Sequence, residues 1–189
     1  MPSSFSFKAT DDLEIAEIAK KHGALVPFMR SADNSDDYAT TYDVIYEVIK
    51  NYKDLGKEFN HICCLYPCAP FVTSENLKKA FKILHENIYD SVFPIVAYSF
   101  PIQRALRNNN GKVTMILKEN LNVRSQDLEK SFHDAGQFYW FKTEKLIQNK
   151  KILSSNSGGI IISELNAHDI DNETDWKLAE LKYKLSIKN

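Results

Sequence analysis

Two carboxylates two residues apart, Asp169 and Asp171, stand in the stretch Ala167-His168-Asp169-Ile170-Asp171-Asn172-Glu173-Thr174-Asp175-Trp176. In an extended segment, alternate side chains leave one face about 6 to 7 Å apart along the chain, so both can converge on a hard cation while Ile170 turns inward. Mg²⁺ is such a cation, and it takes one or two carboxylates and leaves its remaining positions to water and substrate phosphates. The same residues also suit a helix start: Asp171 or Asn172 can cap, with Glu173 and Asp175 at the positive end. Spacing alone leaves metal and cap both open. His133 beside Asp134 is a second candidate, because a carboxylate can orient and charge an imidazole for general-base work, although a binding or structural role fits one such pair equally well. Cys63, Cys64 and Cys68 have neither zinc-ligand spacing nor an even count, and no base is placed beside them. They read as reduced, buried packing residues of a cytosolic protein.

The elements that must hold these residues alternate. Thr10 can cap a helix in which Asp11 and Asp12 favour the first turn, Ile15, Ile18 and Ala19 form a stripe, and Gly23 ends it; this helix needs a strand before it. Ala24 to Phe28 is a short extended run, and a polar loop follows. From about Thr40 a second helix carries Val44, Ile45, Val48, Ile49 and Tyr52 on one face. His61 to Tyr66 is an apolar run of the kind found in a strand covered on both faces of a largely parallel sheet. Thr73 can cap the helix of Leu77, Ala80, Phe81 and Leu84. The run from Ser91 to Tyr98 resumes the strand pattern, with Pro94 assigning it to an edge or a bulge. Arg107 to Lys112 reads as a turn leading into Val113 to Leu117, an antiparallel excursion from the sheet. Gly136 to Phe141 and Gly159 to Ile162 are further strands, and a last helix runs from about Glu173 to Leu185. This alternation implies an α/β sandwich with a mostly parallel sheet and a site beyond the carboxyl ends of its strands.

The 189 residues suit a single domain, residues 1–189, able to bury roughly 70% of the surface its unfolded chain exposes. Charged residues make up 26% and hydrophobic ones 43%, the balance of an ordinary folded chain. A net charge of -1 argues against general nucleic-acid binding, which needs a basic surface. No apolar run approaches the roughly 18 residues of a membrane span, and the first residues lack the pattern of a secretory signal, so the expected location is the cytoplasm and no membrane partner is expected.

Four ordered segments carry a resemblance. Thr10-Asp11-Asp12-Leu13-Glu14-Ile15-Ala16 is similar to the "S-T-D-D-x-E-I-A" segment of the acylneuraminate cytidylyltransferases, the CMP-sugar synthetases. Val26-Pro27-Phe28-Met29-Arg30-Ser31, with Asp36-Asp37-Tyr38-Ala39-Thr40-Thr41, resembles that family's arginine and "D-x-(A/S)-T" segments. Leu65-Tyr66-Pro67-Cys68-Ala69-Pro70 resembles its "L-Q/Y-P-T-(S/A)-P" loop, and Asp169-Ile170-Asp171 with Asp175-Trp176 its metal-binding ending. Tyr66, Arg124-Ser125-Gln126-Asp127-Leu128 and His133 to Trp140 point to the pseudaminic acid branch. Each segment alone is weak; four in order are specific.

The resemblance implies a nucleotide-diphospho-sugar transferase-like fold and transfer of CMP from CTP to a nonulosonic acid, pseudaminic or sialic, with release of pyrophosphate. Asp169 and Asp171 would hold Mg²⁺ and serve as catalytic residues. Arg30 would meet the cytosine, Arg124 the sugar carboxylate, and Tyr66, Gln126, His133 and Gln137 would line the sugar pocket. Residues 118–133 would form an excursion that builds a homodimer. Family members begin with a strand and a glycine-rich phosphate loop of the form "I-P-A-R-G-G-S-K". Only nine residues precede Thr10 here, so the first strand, the loop and the next strand are expected to be missing. The alternative that follows is a non-catalytic truncated remnant or binding module. A deoxyoctulosonate cytidylyltransferase is a third reading, against which Tyr66 and Arg124-Ser125-Gln126 argue.

Overall fold

The computed structural model describes residues 6–187, with the side chains of 186 and 187 outside the description. The chain divides into two compact units, one formed by residues 1–64 and 141–155 and the other by 65–140 and 156–189.

In the first unit the chain enters through Ser6 to Lys8, which pair in parallel with Leu25: Lys8 N donates to Leu25 O (2.9 Å) and Leu25 N to Ser6 O (3.2 Å). One isolated parallel bridge residue, Phe7 paired with Leu25, therefore precedes the first helix among the described residues. Helix α1 is Leu13–Lys21, and its cap is Asp12, whose carboxylate accepts from Ile15 N at 2.9 Å. Thr10, expected to cap, is buried instead and accepts from Asp12 N. The inward residue of α1 is Ala16, while Ile15 and Ile18 are exposed. Of the expected stripe, only Ala19 is half-buried, one turn from Ala16. Helix α2 is Thr41–Asp54, opened by a capping box in which Thr40 accepts from Asp43 N and Asp43 from Thr40 N. It buries Ile45, Val48 and Tyr52, and the Tyr52 ring is packed by Phe7, Phe28 and Phe59 at centroid distances of 4.8, 5.4 and 5.3 Å.

Strand β1 is His61–Leu65, helix α3 Ser74–Glu86 with Thr73 as its cap, and β2 Ser91–Ala97. A two-stranded hairpin follows, β3 Leu106–Asn109 and β4 Lys112–Met115, turning on Asn110 (φ +50°) and Gly111 (φ +88°). Two successive positive φ values are what a tight hairpin turn demands, and Asn-Gly supplies them. Strand β5 is Phe132–Asp134, β6 Phe138–Lys142, helix α4 Thr143–Asn149, β7 Ser157–Ile161 and helix α5 Glu173–Ile187. The strand order is β1-β6-β2-β5, with β7 also on β2.

The α/β class holds, but the sheet is mixed and not mostly parallel. Strand β7 runs parallel to β2, whereas β5 runs antiparallel to it. The bonds Tyr66 N to Gln137 O and Thr143 N to Asn60 O give β1 and β6 opposite directions as well. The reason lies in the connection: the chain passes from β2 to β5 through short turns and a hairpin, without the crossover helix that returns a strand parallel. Pro94 is also corrected. It is fully buried inside β2, opposite Ile160 of β7, and the next residue, Ile95, lies between Ile161 of β7 and Asp134 of β5. Its carbonyl accepts from Ala135 N, just past the end of β5, so its missing N–H falls where the β5 pairing has ended. Helix α3 packs on β2 and β7. Val92, Leu84, Ala80, Phe138 and Ile160 form the core there.

Candidate active site

Asp169 and Asp171 lie on the segment that leads into α5, and the structure separates the two readings that the spacing left open. The cap of α5 is Asn172: its side chain accepts from Thr174 N (2.9 Å) and Asp175 N (3.1 Å). Asp175 answers by accepting from Asp171 N and Asn172 N at 3.1 and 3.2 Å. The capping work is therefore done by Asn172 and Asp175, and the carboxylate of Asp171 is not used for it. Asp169 accepts the neighbouring Ile170 N through Oδ1, and a Cβ placed on Gly136 would stand 3.9 Å from its Oδ2. Both aspartates are exposed, and among the described residues neither forms an ion pair with lysine or arginine. No group of three or more His, Cys, Asp and Glu side chains gathers among the described residues. A pair of hard oxygen donors open to solvent fits Mg²⁺ shared with phosphates, which leaves most positions to other ligands.

The segment ahead of the aspartates is held from three directions. Gln137 Nε2 donates to Asn166 O, Lys182 Nζ donates to Glu164 O and Ala167 O at 3.1 and 2.8 Å, and His168 Nε2 donates to Asp175 O at 2.7 Å. Gln137 is completely buried, so its side chain braces the loop and does not line an open surface.

Beside this loop, Asp134 ends β5. Its Oδ1 accepts from Gly136 N (2.9 Å) and its Oδ2 from the Tyr139 hydroxyl (2.7 Å). Tyr139 is 2% exposed, and its ring lies 5.2 Å from that of Tyr66. Burial above all, then the Asp134 carboxylate and the Tyr66 hydroxyl, push the Tyr139 phenol well above its usual range, so it is a donor at any working pH. His133 is exposed, its ring 5.0 Å from Tyr98, and its Nδ1 lies 2.8 Å from the carbonyl of Asp134. A carbonyl only accepts, so Nδ1 carries the proton and Nε2 is the basic nitrogen. Arg124 and Gln126 are exposed on a short turn, and Arg124 meets Asp127 bidentately, Nε to Oδ2 at 2.8 Å and Nη2 to Oδ1 at 3.2 Å.

Arg30 belongs to the first unit. Its Nη2 is paired with Asp11 and its Nε donates to Ser35 Oγ at 3.0 Å. This hydrogen bond holds the Asp11 carboxyl below its usual range. The structure thus gathers Tyr66, Gln137, Asp169 and their supports in one unit. Asn166 and Lys182 were not singled out in the sequence, Asp134 was noted only as the neighbour of His133, and Tyr139 only within the segment from His133 to Trp140. The cysteine reading needs one correction: Cys63 and Cys64 are half-buried and free, but Cys68 is exposed.

A sequence model of the cytidylyltransferase family matches residues 7–171. Pseudaminic acid cytidylyltransferase of Campylobacter jejuni serotype O:2 is 34% identical over 179 residues, 94% of this chain and 77% of the relative. The CMP-N,N'-diacetyllegionaminic acid synthase of Legionella pneumophila is 24% identical over 181 residues, again 94% and 77%. Among solved structures, a CMP:2-keto-3-deoxy-manno-octonic acid synthetase complexed with CTP superposes with a TM-score of 0.65 at 12% identity, over 98% of this chain and 82% of that one, a likeness of fold. By the extent of the family match and the identity to the Campylobacter relative, this chain belongs to the cytidylyltransferase family.

Proposed function

We propose that the chain transfers CMP from CTP to a nonulosonic acid, of which pseudaminic acid is the first choice, and releases pyrophosphate. Family membership supports the reaction class, and the geometry around Asp169 supports the division of labour. The observation that carries it is the release of Asp171 from capping by Asn172 and Asp175, which leaves two neighbouring carboxylates for a cation.

Asp169 and Asp171 would hold Mg²⁺, which when bound supplies neutralisation of phosphate charge. The protein's own part is to place the reactants, since such a transfer asks little covalent chemistry of it. Arg124, now paired with exposed Asp127, offers a bidentate fork that a sugar carboxylate can take over. His133 Nε2 can accept a hydrogen bond or a proton from a sugar hydroxyl. Tyr66 presents its ring beside Tyr139 as a wall of the sugar side, and Gln126 is a further polar contact. Gln137 acts through the loop it braces, and Arg30 through the cytosine once Asp11 yields it. The exposed apolar residues of the hairpin and of residues 118–133, among them Leu106 (60%), Val113 (55%) and Leu121 (61%), suit a homodimer. Among the described residues no helix is long and apolar enough to cross a membrane, and we place the reaction in the cytoplasm, with its CTP.

A second reading is a module that binds metal and sugar without turnover; of the six glycines only Gly158 and Gly159 are adjacent, and they lie inside β7 and not in a loop that could cradle a triphosphate. Pyrophosphate release with CTP, Mg²⁺ and pseudaminic acid decides between the two. Turnover that falls at least ~100-fold in Asp169→Ala and in Asp171→Ala supports the enzyme. Sugar binding by calorimetry with no pyrophosphate supports the module.

A further inference from the structure

Asp134 touches two parts of the site at once. Through Oδ1 it holds Gly136 N, fixing a turn in which Gly136 has φ +63°, a left-handed conformation that favours glycine. Asp169 Oδ2 would stand 3.9 Å from a Cβ placed on Gly136, so the turn and the Asp169 carboxylate are near neighbours. Through Oδ2 the same carboxylate holds the hydroxyl of Tyr139, whose ring packs on Tyr66. Gln137, which follows Gly136, grips Asn166 O three residues before Asp169. Residues 134–139 therefore brace the aspartate loop through Gln137 and the tyrosine pair through Asp134.

We infer that Asp134 is a positioning residue: by tying the Gly136 turn to the Tyr139 hydroxyl it sets the Asp169 carboxylate and the Tyr66 ring together, so the metal side and the sugar side of the site are coupled through one carboxylate. Its charge suits the task, because hydrogen bonds to an ionised acceptor are roughly twice as strong as neutral ones. The backbone on either side is held by Ala135 N on Pro94 O and by Tyr66 N on Gln137 O, and Asp134 supplies the bond at Gly136 between them. The inference rests on Asp169 as the metal side of the proposed function, and the test separates the two.

Amide exchange on the full chain, read by mass spectrometry for the unmodified protein, Asp134→Ala, Asp134→Asn and Tyr139→Phe, gives the primary readout. Asp134→Ala is expected to speed exchange in residues 166–171, some thirty residues away in sequence, by ~5-fold or more, the effect of losing about one net hydrogen bond. Asp134→Asn keeps the shape and an acceptor for Gly136 N, and is expected to recover most of the protection. Tyr139→Phe leaves the Gly136 bond and is expected to leave residues 166–171 within twofold of the unmodified chain. If Asp134→Ala fails to fold, Asp134→Val, which suits a strand and also lacks both acceptors, carries the test with the same increase expected, and Asp134→Asn serves only as the recovery control. Unchanged exchange at 166–171 in every folded Asp134 variant overturns the inference. Kinetics add a split: Asp134→Ala raises the Mg²⁺ needed for half-maximal rate and the KM for the sugar together, while Tyr139→Phe raises only the latter. A Tyr139→Phe effect on Mg²⁺ as large as that of Asp134→Ala would overturn the division of roles. An unmodified chain that releases no pyrophosphate sinks the proposed function, and the exchange result still decides the coupling.

Discussion

At the scale of single residues, the side chains least conspicuous in the sequence decide how the conspicuous ones are used. Asp169 and Asp171 were legible from their spacing, but whether they cap or coordinate was not, because that depends on Asn172 and Asp175 closing the helix start between themselves. Gln137 was expected to line the sugar pocket and is a buried brace, which the sequence does not reveal because its partner is a backbone carbonyl 29 residues away. The cysteines yield a prediction at this scale. Burial raises the Cys63 thiol to about 12 and Cys64 to about 11 from an ordinary 9.0. At pH 8 their thiolate fractions are then at least on the order of 100-fold below an ordinary thiol's, so a thiol reagent should modify exposed Cys68 first and the other two on unfolding. The sign for stability follows: a raised folded pKa stabilises fully below pH 9 and is lost as pH rises through 11 and 12, so the urea midpoint should fall over that window.

Elements were legible in proportion to how local their causes are. Helix α2 announces itself through Thr40, Asp43 and a regular apolar period, and its start was placed within a residue. Thr40→Ala should cost about 1 kcal/mol, read as a lower urea midpoint at unchanged slope. Strand β5 has three residues, all exposed, and exists because β2 offers Ile95 to Ala97 as partners; nothing inside Phe132-His133-Asp134 says so. The direction of the strands was misread for a related reason. Alternation of helix and strand suggests crossovers, yet the connection from β2 to β5 carries no α-helix, and only the paired backbone shows which way β5 returns. Strand β7 escapes periodicity through Gly158 and Gly159, where a Cβ would stand 2.7 Å from the Tyr89 ring and 2.8 Å from Ile95 Cδ1.

At the scale of the whole molecule, the apolar residues left outside after each unit forms its own core are the clearest feature. Phe100 is 84% exposed and Leu121 61%, beside the hairpin. Light scattering is expected to give twice the mass of 21.7 kDa at micromolar concentration, shifting to the single mass when Leu106, Val113 and Leu121 are replaced by Ser. The family was legible from four segments in order, while the network under the site was not, because Asp134, Tyr139 and Asn166 meet only after folding. Lys182 shows how far that network reaches. It sits on α5 two residues beyond Glu180, where the resemblance to the family's ending runs out, yet its ammonium holds the carbonyls of Glu164 and Ala167 ahead of the aspartates. A gene trimmed to end at Leu181 would still encode each nominated contact. Its product would carry the aspartates on a tether with one of three moorings cut, a loss that no motif search of that shortened gene would reveal.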